Sequence, residues 1–425
     1  MVRGPATRSA GAARRGAPEA SADAGAIALR LDGVPRPLIV VDAPEVIAGI
    51  AAVTRGWTLR QEPAVAADFV QPAGRVARDA EGFSVASAFV GGAFRRLELA
   101  SSVCAALADL AEARAEANPG VALLHAGAVE TGGQVTAFIG RSRAGKSTLV
   151  ARLGAEPDLR IYGDDMLPVA PDGTALALGI APRIRLPLPE AASPLFRAHV
   201  ADCIGICDGN YAFLAVPNLA PHGAQASLRT IFWLDRRRRG RARVTAVAPS
   251  EALERLRQSD MQVPADAGAH AARLATILAE VTCLELVYAD LEEAVAAIRA
   301  VLDSKPAALA ALAAPGRARP KRARPAPRDL ALVRDPLAAP RPAGTGLWLV
   351  RRNAGGLVRL NAVGAAVWEL LDGGATPAAI ARDLSEVFPD VAPATIAADV
   401  ARLLGEMLET GLVHPAEGRP APRAR

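Results

Sequence analysis

The sequence predicts an α/β protein with a large N-terminal unit and a small α+β unit near the C-terminal end. Three observations favour this fold class. A glycine-rich pattern at residues 140–147 lies between a strand-like and a helix-like segment. Proline and arginine become frequent after Ser304, as they do in linkers. A hairpin pattern followed by three helical patterns occupies residues 344–416.

Composition and cysteine content point to a globular intracellular protein. Of the 425 residues, 51% are apolar and 22% are charged, and the length exceeds that of one typical domain. No apolar run is long enough to span a membrane, and residues 1–25 lack the apolar core of a secretory signal. The four cysteines are too few for a disulfide framework, and no histidine pair completes a metal site at Cys203 and Cys207. We therefore expect a cytoplasmic protein without a membrane partner.

Changes in composition divide the chain into five segments. Near Ser304 proline and like charges begin to oppose compact packing. The predicted segments are a disordered start at 1–25, a large unit at 26–303 with its core at 120–240, a Pro/Arg/Ala-rich linker at 304–343, a small unit at 344–416, and a disordered tail at 417–425.

Secondary-structure patterns in the large unit place the glycine-rich segment between a strand and a helix. The two runs at 121–129 and 135–139 are joined by Thr131-Gly-Gly-Gln, which is typical of a hairpin. The second run leads directly into Gly140. The predicted elements are a strand-rich lead-in at 26–100, a helix at 103–117, strands at 121–129 and 135–139, a helix from Ser147, and strands at 159–162 and 230–234.

The segment Gly140-Arg-Ser-Arg-Ala-Gly-Lys-Ser147 matches the pattern of a phosphate-binding loop. Its glycines permit a turn that aims backbone N–H groups at phosphate oxygens, and the following helix adds a partial positive charge. Lys146 would reach the β and γ phosphates of ATP, and the Ser147 hydroxyl would ligate Mg²⁺. A glycine-rich turn with an exposed lysine is the alternative. The predicted cofactors are ATP and Mg²⁺, and the predicted nucleotide-binding residues are Gly140, Arg141, Ser142, Arg143, Ala144, Gly145, Lys146, Ser147 and Thr148.

Two consecutive carboxylates, Asp164 and Asp165, follow the strand at 159–162. They lie 18 and 19 residues beyond Lys146, which leaves room for one helix and a return strand. One carboxylate would accept the proton of an attacking hydroxyl, while the other would hold metal or substrate. A pair of aspartates that solvates a turn is the alternative.

Histidine and arginine residues near these carboxylates are weaker candidates. His125 lies in an otherwise apolar run, and the hairpin would bring it near the phosphate end of the sheet, although a core histidine has the same pattern. Arg183 and Arg185 share one side of a strand and would clamp phosphate or an acidic substrate, but an exposed strand face is favoured. The arginine runs at 236–239 and 317–328 lack interleaved aromatics, so we expect solvated turns and no nucleic-acid partner.

The large unit resembles the catalytic domain of HPr kinase/phosphorylase. The resemblance rests on His125-Ala-Gly-Ala-Val, the loop at 140–147, and Gly163-Asp-Asp, and it covers about residues 120–240 with weaker likeness to 303. It implies an HPr-kinase type of P-loop fold, with Asp164 as general base, His125 assisting, Lys146 on the phosphates, and Ser147 and Asp165 at the metal. The loop carries Arg141-Ser-Arg-Ala where that family has a second glycine, and a later Glu-rich signature is missing, which argues against HPr as the acceptor.

The small unit resembles a winged-helix-like PqqD domain. A hairpin joins Leu347-Trp-Leu-Val-Arg-Arg to Gly356-Leu-Val-Arg-Leu across Asn353-Ala-Gly, and Asn361 would cap the first helix. The predicted helices are 362–371, 377–387 and 393–412. The resemblance covers about residues 344–416. It implies recognition of the leader segment of a ribosomally made precursor peptide, added as a strand to an exposed sheet edge against the last helix.

Together the two units predict an ATP-dependent kinase that phosphorylates Ser or Thr in a precursor peptide. Two alternatives stay open, a kinase for an amino acid or sugar with a regulatory C-terminal unit, and an ATP-gated peptide scaffold without chemistry. The expected partners are the leader peptide and ATP, and a homo-oligomer is left open. Removal of residues 344–425 would distinguish the peptide kinase from the small-molecule kinase.

Overall fold

A computed structural model provides the structure of the chain. The residues that it describes are 25–89, 93–118, 120–141, 144–261, 267–304, 324–335, 338–343, 346–351, 356–360 and 362–416. Several predicted features lie outside these ranges. They are the two terminal segments predicted to be disordered (except Gly25), the middle of the predicted linker, the loop residues Ser142 and Arg143, and the predicted helix cap Asn361.

The N-terminal part is a six-stranded sheet covered by two helices. Its elements are β1 (Ile27–Leu31), β2 (Leu38–Val41), α1 (Pro44–Val53), β3 (Leu59–Pro63), β4 (Gly74–Asp79), β5 (Gly82–Ser87), β6 (Ala93–Leu97) and α2 (Leu99–Glu116). The strand order is β3-β1-β2-β4-β5-β6, with β2 and β4 parallel and the other pairs antiparallel. The predicted strand-rich lead-in is therefore confirmed, and α2 begins four residues earlier than the predicted helix start at residue 103.

The central part contains a nine-stranded mixed sheet and a small three-stranded sheet. Its elements are β7 (Ala122–Leu124), β8 (Gly127–Thr131), β9 (Gln134–Gly140), α3 (Lys146–Leu153), β10 (Arg160–Gly163), β11 (Leu167–Val169), β12 (Thr174–Leu176), β13 (Arg183–Arg185), α4 (Pro194–Cys203), β14 (Ile204–Cys207), β15 (Tyr211–Leu214), β16 (Gln225–Arg236), β17 (Arg243–Ala246), α5 (Pro249–Arg257), α6 (Ala267–Leu278), β18 (Thr282–Tyr288) and α7 (Leu291–Leu302).

Three parallel strands end at the phosphate loop. The long strand β16 pairs in parallel with β9 on one side and with β18 on the other. Alternating side chains of these strands face two apolar cores: Phe138 and Phe232 stack with ring centroids 5.9 Å apart on one face, whereas Ile139 and Trp233 face the other. Since the carboxyl ends of parallel strands meet at one sheet edge, Gly140 and the end of β18 lie at the same edge.

The run at 121–129 is not the single hairpin strand that its pattern predicts. Strand β8 forms the predicted hairpin with β9 across Gly132 and Gly133, whose φ values of +57° and +79° suit a tight turn. Strand β7 pairs instead with β11, and His125 separates β7 from β8. The backbone N–H of His125 donates to the oxygen of Ser259, so the chain changes partners at this residue.

The C-terminal part has its own apolar core, which includes Trp368, Leu332 and Leu404. Its elements are β19 (Leu332–Arg334), β20 (Ala338–Ala343), β21 (Gly346–Arg351), β22 (Gly356–Leu360), α8 (Ala362–Leu370), α9 (Pro377–Val387), α10 (Pro393–Thr410) and β23 (Val413–Pro415). The predicted hairpin is confirmed as β21 and β22. The three predicted helices are also present, and the last one ends two residues early at Thr410.

The predicted linker at 304–343 is wrong in its second half. Strand β20 pairs with β21, β19 pairs with the terminal strand β23, and Ala326 is buried in the C-terminal core. The folded C-terminal part thus begins near Arg324. No helix within the described ranges has the length and apolar character that crossing a membrane requires.

Candidate active site

The phosphate loop joins β9 to α3 at the edge where the parallel strands end. Gly140 is the last residue of β9, and a Cβ there would lie 3.1 Å from the Cβ of Leu234 on β16, so close packing favours glycine. The helix α3 begins at Lys146 and directs its amino end at the loop. Thr148 lies in the first turn of this helix and is half-buried, and the loop residue Arg141 is exposed. The strand, loop and helix order that the sequence predicts is therefore present.

Gly145 is the residue that the loop conformation requires most strictly. Its φ is +93°, a conformation that side chains rarely adopt, and an added Cβ would lie 2.4 Å from the hydroxyl of Tyr288. This hydroxyl donates to the backbone oxygen of Ala144 at 2.6 Å. Tyr288, at the end of β18, thus anchors the loop to the central sheet through this hydrogen bond.

Lys146 is buried within the site and is not an exposed turn lysine. Its ammonium group donates to the backbone oxygen of Gly140 at 2.8 Å, across the mouth of the loop. Burial lowers the pKa of Lys146, and the nearby charges of Asp165 and Asp164 oppose that effect. The alternative of an exposed lysine on a glycine-rich turn is therefore wrong.

The two aspartates lie in different environments. One Asp164 oxygen accepts the backbone N–H of Arg183 at 3.0 Å, and the Ser147 hydroxyl lies close enough to favour the charged carboxylate. Its other oxygen, Oδ1, is buried and has no hydrogen-bond partner among the residues described. Asp165 instead pairs with the Arg183 guanidinium at 3.5 Å and has a φ of +72°. Asp164 is therefore buried and Asp165 is partly buried against Arg183, so the two do not merely solvate a turn.

Neighbouring charges give the two carboxyls opposite titration behaviour, although burial raises the pKa of both. Burial and the charge of Asp165 raise the pKa of Asp164 to about 7. Burial also opposes ionisation of Asp165, but the surrounding charges, Arg183 first and Lys146 with it, together outweigh burial, and the pKa of Asp165 is lowered. Near neutral pH the site therefore holds one permanent carboxylate and one carboxyl that can exchange a proton.

His125 is held beside the aspartates by the strand break between β7 and β8. Its Nδ1 lies 2.9 Å from the backbone oxygen of Asp165, and its buried Nε2 has no partner within the described part of the chain. Because a carbonyl oxygen can only accept, Nδ1 carries the proton and Nε2 presents a lone pair. Burial, followed by the charge of Lys146, lowers the pKa of His125 to about 4, so the ring is neutral.

Arg183 lies in the site and not on the exposed strand face that its pattern favoured. Only 16% of its side chain is exposed, and its guanidinium lies 4.4 Å from the ring centroid of Tyr211. Arg185, on the same side of β13, is exposed and lies 5.6 Å from that ring. Tyr288 was missed as a site residue, whereas Arg183 was considered as a clamp for phosphate or substrate but assigned to an exposed strand face. Tyr288 could have been found from the strand that it ends, because this strand is parallel to β16 and ends at the same sheet edge as the loop.

The donor set fits a magnesium nucleotide better than a metal held by protein alone. No group of three or more His, Cys, Asp or Glu in the described ranges could hold a metal ion. Mg²⁺ in phosphoryl-transfer sites is held by one or two protein ligands and by the phosphates. Ser147 is suited to this role, but its nearest carboxyl is that of Asp164, whereas the sequence had paired Ser147 with Asp165.

Comparison with known proteins identifies one segment. Residues 346–413 match the family described as coenzyme PQQ synthesis protein D (PqqD). A PqqD-like domain is therefore present at these positions, and it implies binding of a precursor peptide and a part in peptide modification. No curated protein matches the chain. The resemblance of residues 120–240 to HPr kinase stays a prediction.

Proposed function

We propose that the chain is an ATP-dependent kinase that phosphorylates a Ser or Thr hydroxyl of a precursor peptide bound by its PqqD-like domain. The observation that carries this proposal is a pair of buried acceptors, Asp164 Oδ1 and His125 Nε2, that have no hydrogen-bond partner in the described part of the chain. They lie in the same cluster of side chains as Lys146 and Ser147. Buried polar atoms are rarely left unpaired, and a site awaiting a hydroxyl donor accounts for both.

Proton transfer would be the task of Asp164. Its Oδ1 is free to accept the hydroxyl proton, while the N–H of Arg183 fixes the orientation of the carboxyl through Oδ2. His125 Nε2 would accept a hydrogen bond from the same hydroxyl and orient it, because a neutral ring with a low pKa is a weak base. The acceptor oxygen then bonds to phosphorus as its proton passes to Asp164.

Phosphate binding would be the task of the loop. Bound ATP with Mg²⁺ supplies the γ-phosphoryl group and leaves as ADP when its bridging P–O bond breaks. The backbone N–H groups around Gly145 and the amino end of α3 would hold the phosphates, and Lys146 would release Gly140 to meet them. Ser147 would hold the magnesium ion. Asp165, kept charged by Arg183, would balance the positive charge of Lys146.

The PqqD-like domain would supply the choice of substrate. Tethering a captured leader raises the local concentration of the attached acceptor, so a site with weak intrinsic affinity can modify one peptide. Arg141 of the phosphate loop lies 3.5 Å from Glu409 near the end of α10, which supports close cooperation between the two parts.

The test is transfer of label from γ-labelled ATP to short precursor peptides encoded beside the gene for this chain. We expect magnesium-dependent transfer with the full chain and at least a 100-fold loss with Asp164→Asn. Removal of residues 324–425 should abolish transfer to leader-bearing peptide but keep ATP binding by calorimetry. This cut respects the folded boundary near Arg324. Failure of the folded chain to bind ATP, or binding unchanged by Lys146→Met, would refute the proposal.

A further inference from the structure

A polar cavity of about 470 Å³ lies beside the site, between the N-terminal sheet and the small sheet of the central part. Its lining includes Arg96 from β6, Ser101 from α2, Arg185 from β13, Tyr211 from β15, and the neighbouring Glu98 and Asn210. None of these residues takes part in the phosphoryl transfer described above.

The cavity is separated from the reacting groups by one guanidinium and one aromatic ring. Arg183 contacts Asp165 at 3.5 Å on one side, and its guanidinium lies 4.4 Å from the Tyr211 ring centroid on the other. Tyr211 in turn lines the cavity together with its register partner Arg185. A ligand in the cavity therefore lies one to three residues of extended chain from the acidic pair, at roughly 3.3–3.6 Å per residue.

The charge of the lining suits one carboxylate. Arg96 and Arg185 contribute two positive charges and Glu98 one negative charge. Arg185 has no ion pair with any carboxylate among the residues described, and Arg96 pairs with Glu81 through mostly exposed side chains, which hold each other weakly. Arg185 is therefore the guanidinium of this lining that is available to a ligand, while Glu98 and the nearby Asp208 disfavour a doubly charged phosphate. Arginine binds carboxylates in a bidentate manner.

The walls of the cavity are braced. The Ser101 hydroxyl donates to Asp208 at 2.9 Å, and Glu98 accepts the backbone N–H of Gly209 at 2.9 Å. These bonds join the start of α2 to the turn before β15. Arg96 has a φ of +58°, a conformation that non-glycine residues adopt mainly where their surroundings enforce it.

We propose that this cavity binds a carboxylate of the acceptor peptide, within about three residues of the phosphorylated hydroxyl. The inference rests on the proposed function for its biological meaning. The carboxylate comes either from an acidic side chain or from the end of the peptide. In either case Arg185 is its main partner, and Arg96, Asn210 and Tyr211 complete its coordination.

Binding of leaderless peptides to the full chain tests this site without catalysis. The probes are fluorescein-labelled Gly-Ser-Gly-Asp-Gly with an amidated end, its Asn twin, and the Asn twin with a free terminal carboxylate. We expect the Asp peptide or the free-ended peptide to bind about tenfold more tightly than the amidated Asn twin. Arg185→Gln should remove that advantage and Arg96→Gln should reduce it, whereas the charge-matched control Arg229→Gln, exposed on β16, should keep it.

The outcomes separate the two proposals. Equal binding of all three peptides, or an advantage that survives Arg185→Gln, overturns the carboxylate site even if the chain is a kinase. An Arg185-dependent advantage supports the site even if label transfer fails, which would count against the kinase alone. Whichever carboxylate shows the advantage identifies the source.

Discussion

Nδ1 of His125 lies 2.9 Å from the backbone oxygen of Asp165, and this contact fixes the state of the histidine. The proton on Nδ1 leaves Nε2 as a buried acceptor with no partner among the described residues. The break between β7 and β8 creates the contact, since it turns His125 out of the strand ladder that its apolar neighbours join.

The first prediction concerns His125. His125→Gln should lower kcat about 10- to 100-fold with little change in KM for ATP, because the ring would orient the hydroxyl and its described hydrogen bond is to Asp165. Steady-state kinetics on the accepted peptide provide the measurement. His199→Gln is the control, since His199 on α4 also has a pKa lowered by burial. Equal losses in both variants would exclude a role for His125 in positioning.

The second prediction concerns the pH dependence of stability without nucleotide or magnesium. Asp164 has a pKa raised to about 7, so the folded state holds its proton more tightly than the unfolded state, and stability falls as the pH rises from about 4 to 7. The stability gain of Asp164→Asn over wild type should therefore be greater at pH 8 than at pH 5, by up to about 3 kcal/mol. Urea unfolding at the two pH values measures this difference.

His125 has the opposite effect on the pH dependence of folding stability, over part of the same pH range. Its pKa is lowered to about 4, so the unfolded state binds its proton first, and stability rises with pH between about 4 and 6.5. In Asp164→Asn this rise should become visible because the opposing carboxyl is gone. A variant whose stability follows the wild-type pH profile would contradict both assignments.

The third prediction concerns the support of the phosphate loop. Gly145→Ala should destabilise the loop by about 1–3 kcal/mol and abolish ATP binding, because φ is positive and the methyl group would meet Tyr288. Tyr288→Phe should cost only about 0.5–1.5 kcal/mol, since it removes one hydrogen bond. Calorimetric titration with ATP compares them, and Gly173→Ala is the control, as Gly173 has a φ of +82° in an open turn. Equal ATP affinity in Gly145→Ala and Gly173→Ala would show that the loop tolerates the change.

The fourth prediction concerns the boundary of the C-terminal part. A fragment of residues 324–425 should fold, whereas 344–425 should not, because it lacks β19, β20 and the buried Leu332. Leu332→Ala in the longer fragment should cost about 2–5 kcal/mol. Thermal unfolding followed by circular dichroism measures all three. A cooperative transition in 344–425 at the temperature of the longer fragment would restore the predicted linker boundary.

Local patterns predicted the strand, loop and helix order around residues 140–147, the hairpin of β8 and β9 and the C-terminal helices, because neighbouring residues determine each of them. The features that these patterns did not predict depend on pairing between strands that are distant in the sequence. Strand β20 was placed in the linker because proline and like charges become frequent after Ser304, yet its Pro340 and Pro342 are tolerated in an edge strand. Arg183 enters the site because strand β13 pairs with β15 and packs beside α3, which no local pattern reveals.

The same two prolines make the two edges of the sheet formed by β20, β21 and β22 different in their capacity to pair with another strand. Strands β20 and β22 lie at its two edges, and a proline is accepted in a paired strand where its nitrogen faces away from the partner. The outer side of β20 therefore lacks two donors, which discourages another chain from joining there. The outer side of β22 has a full set of backbone amides. An incoming extended segment can therefore pair with the edge of β22. The two prolines of β20 disfavour self-association through the other edge of the sheet.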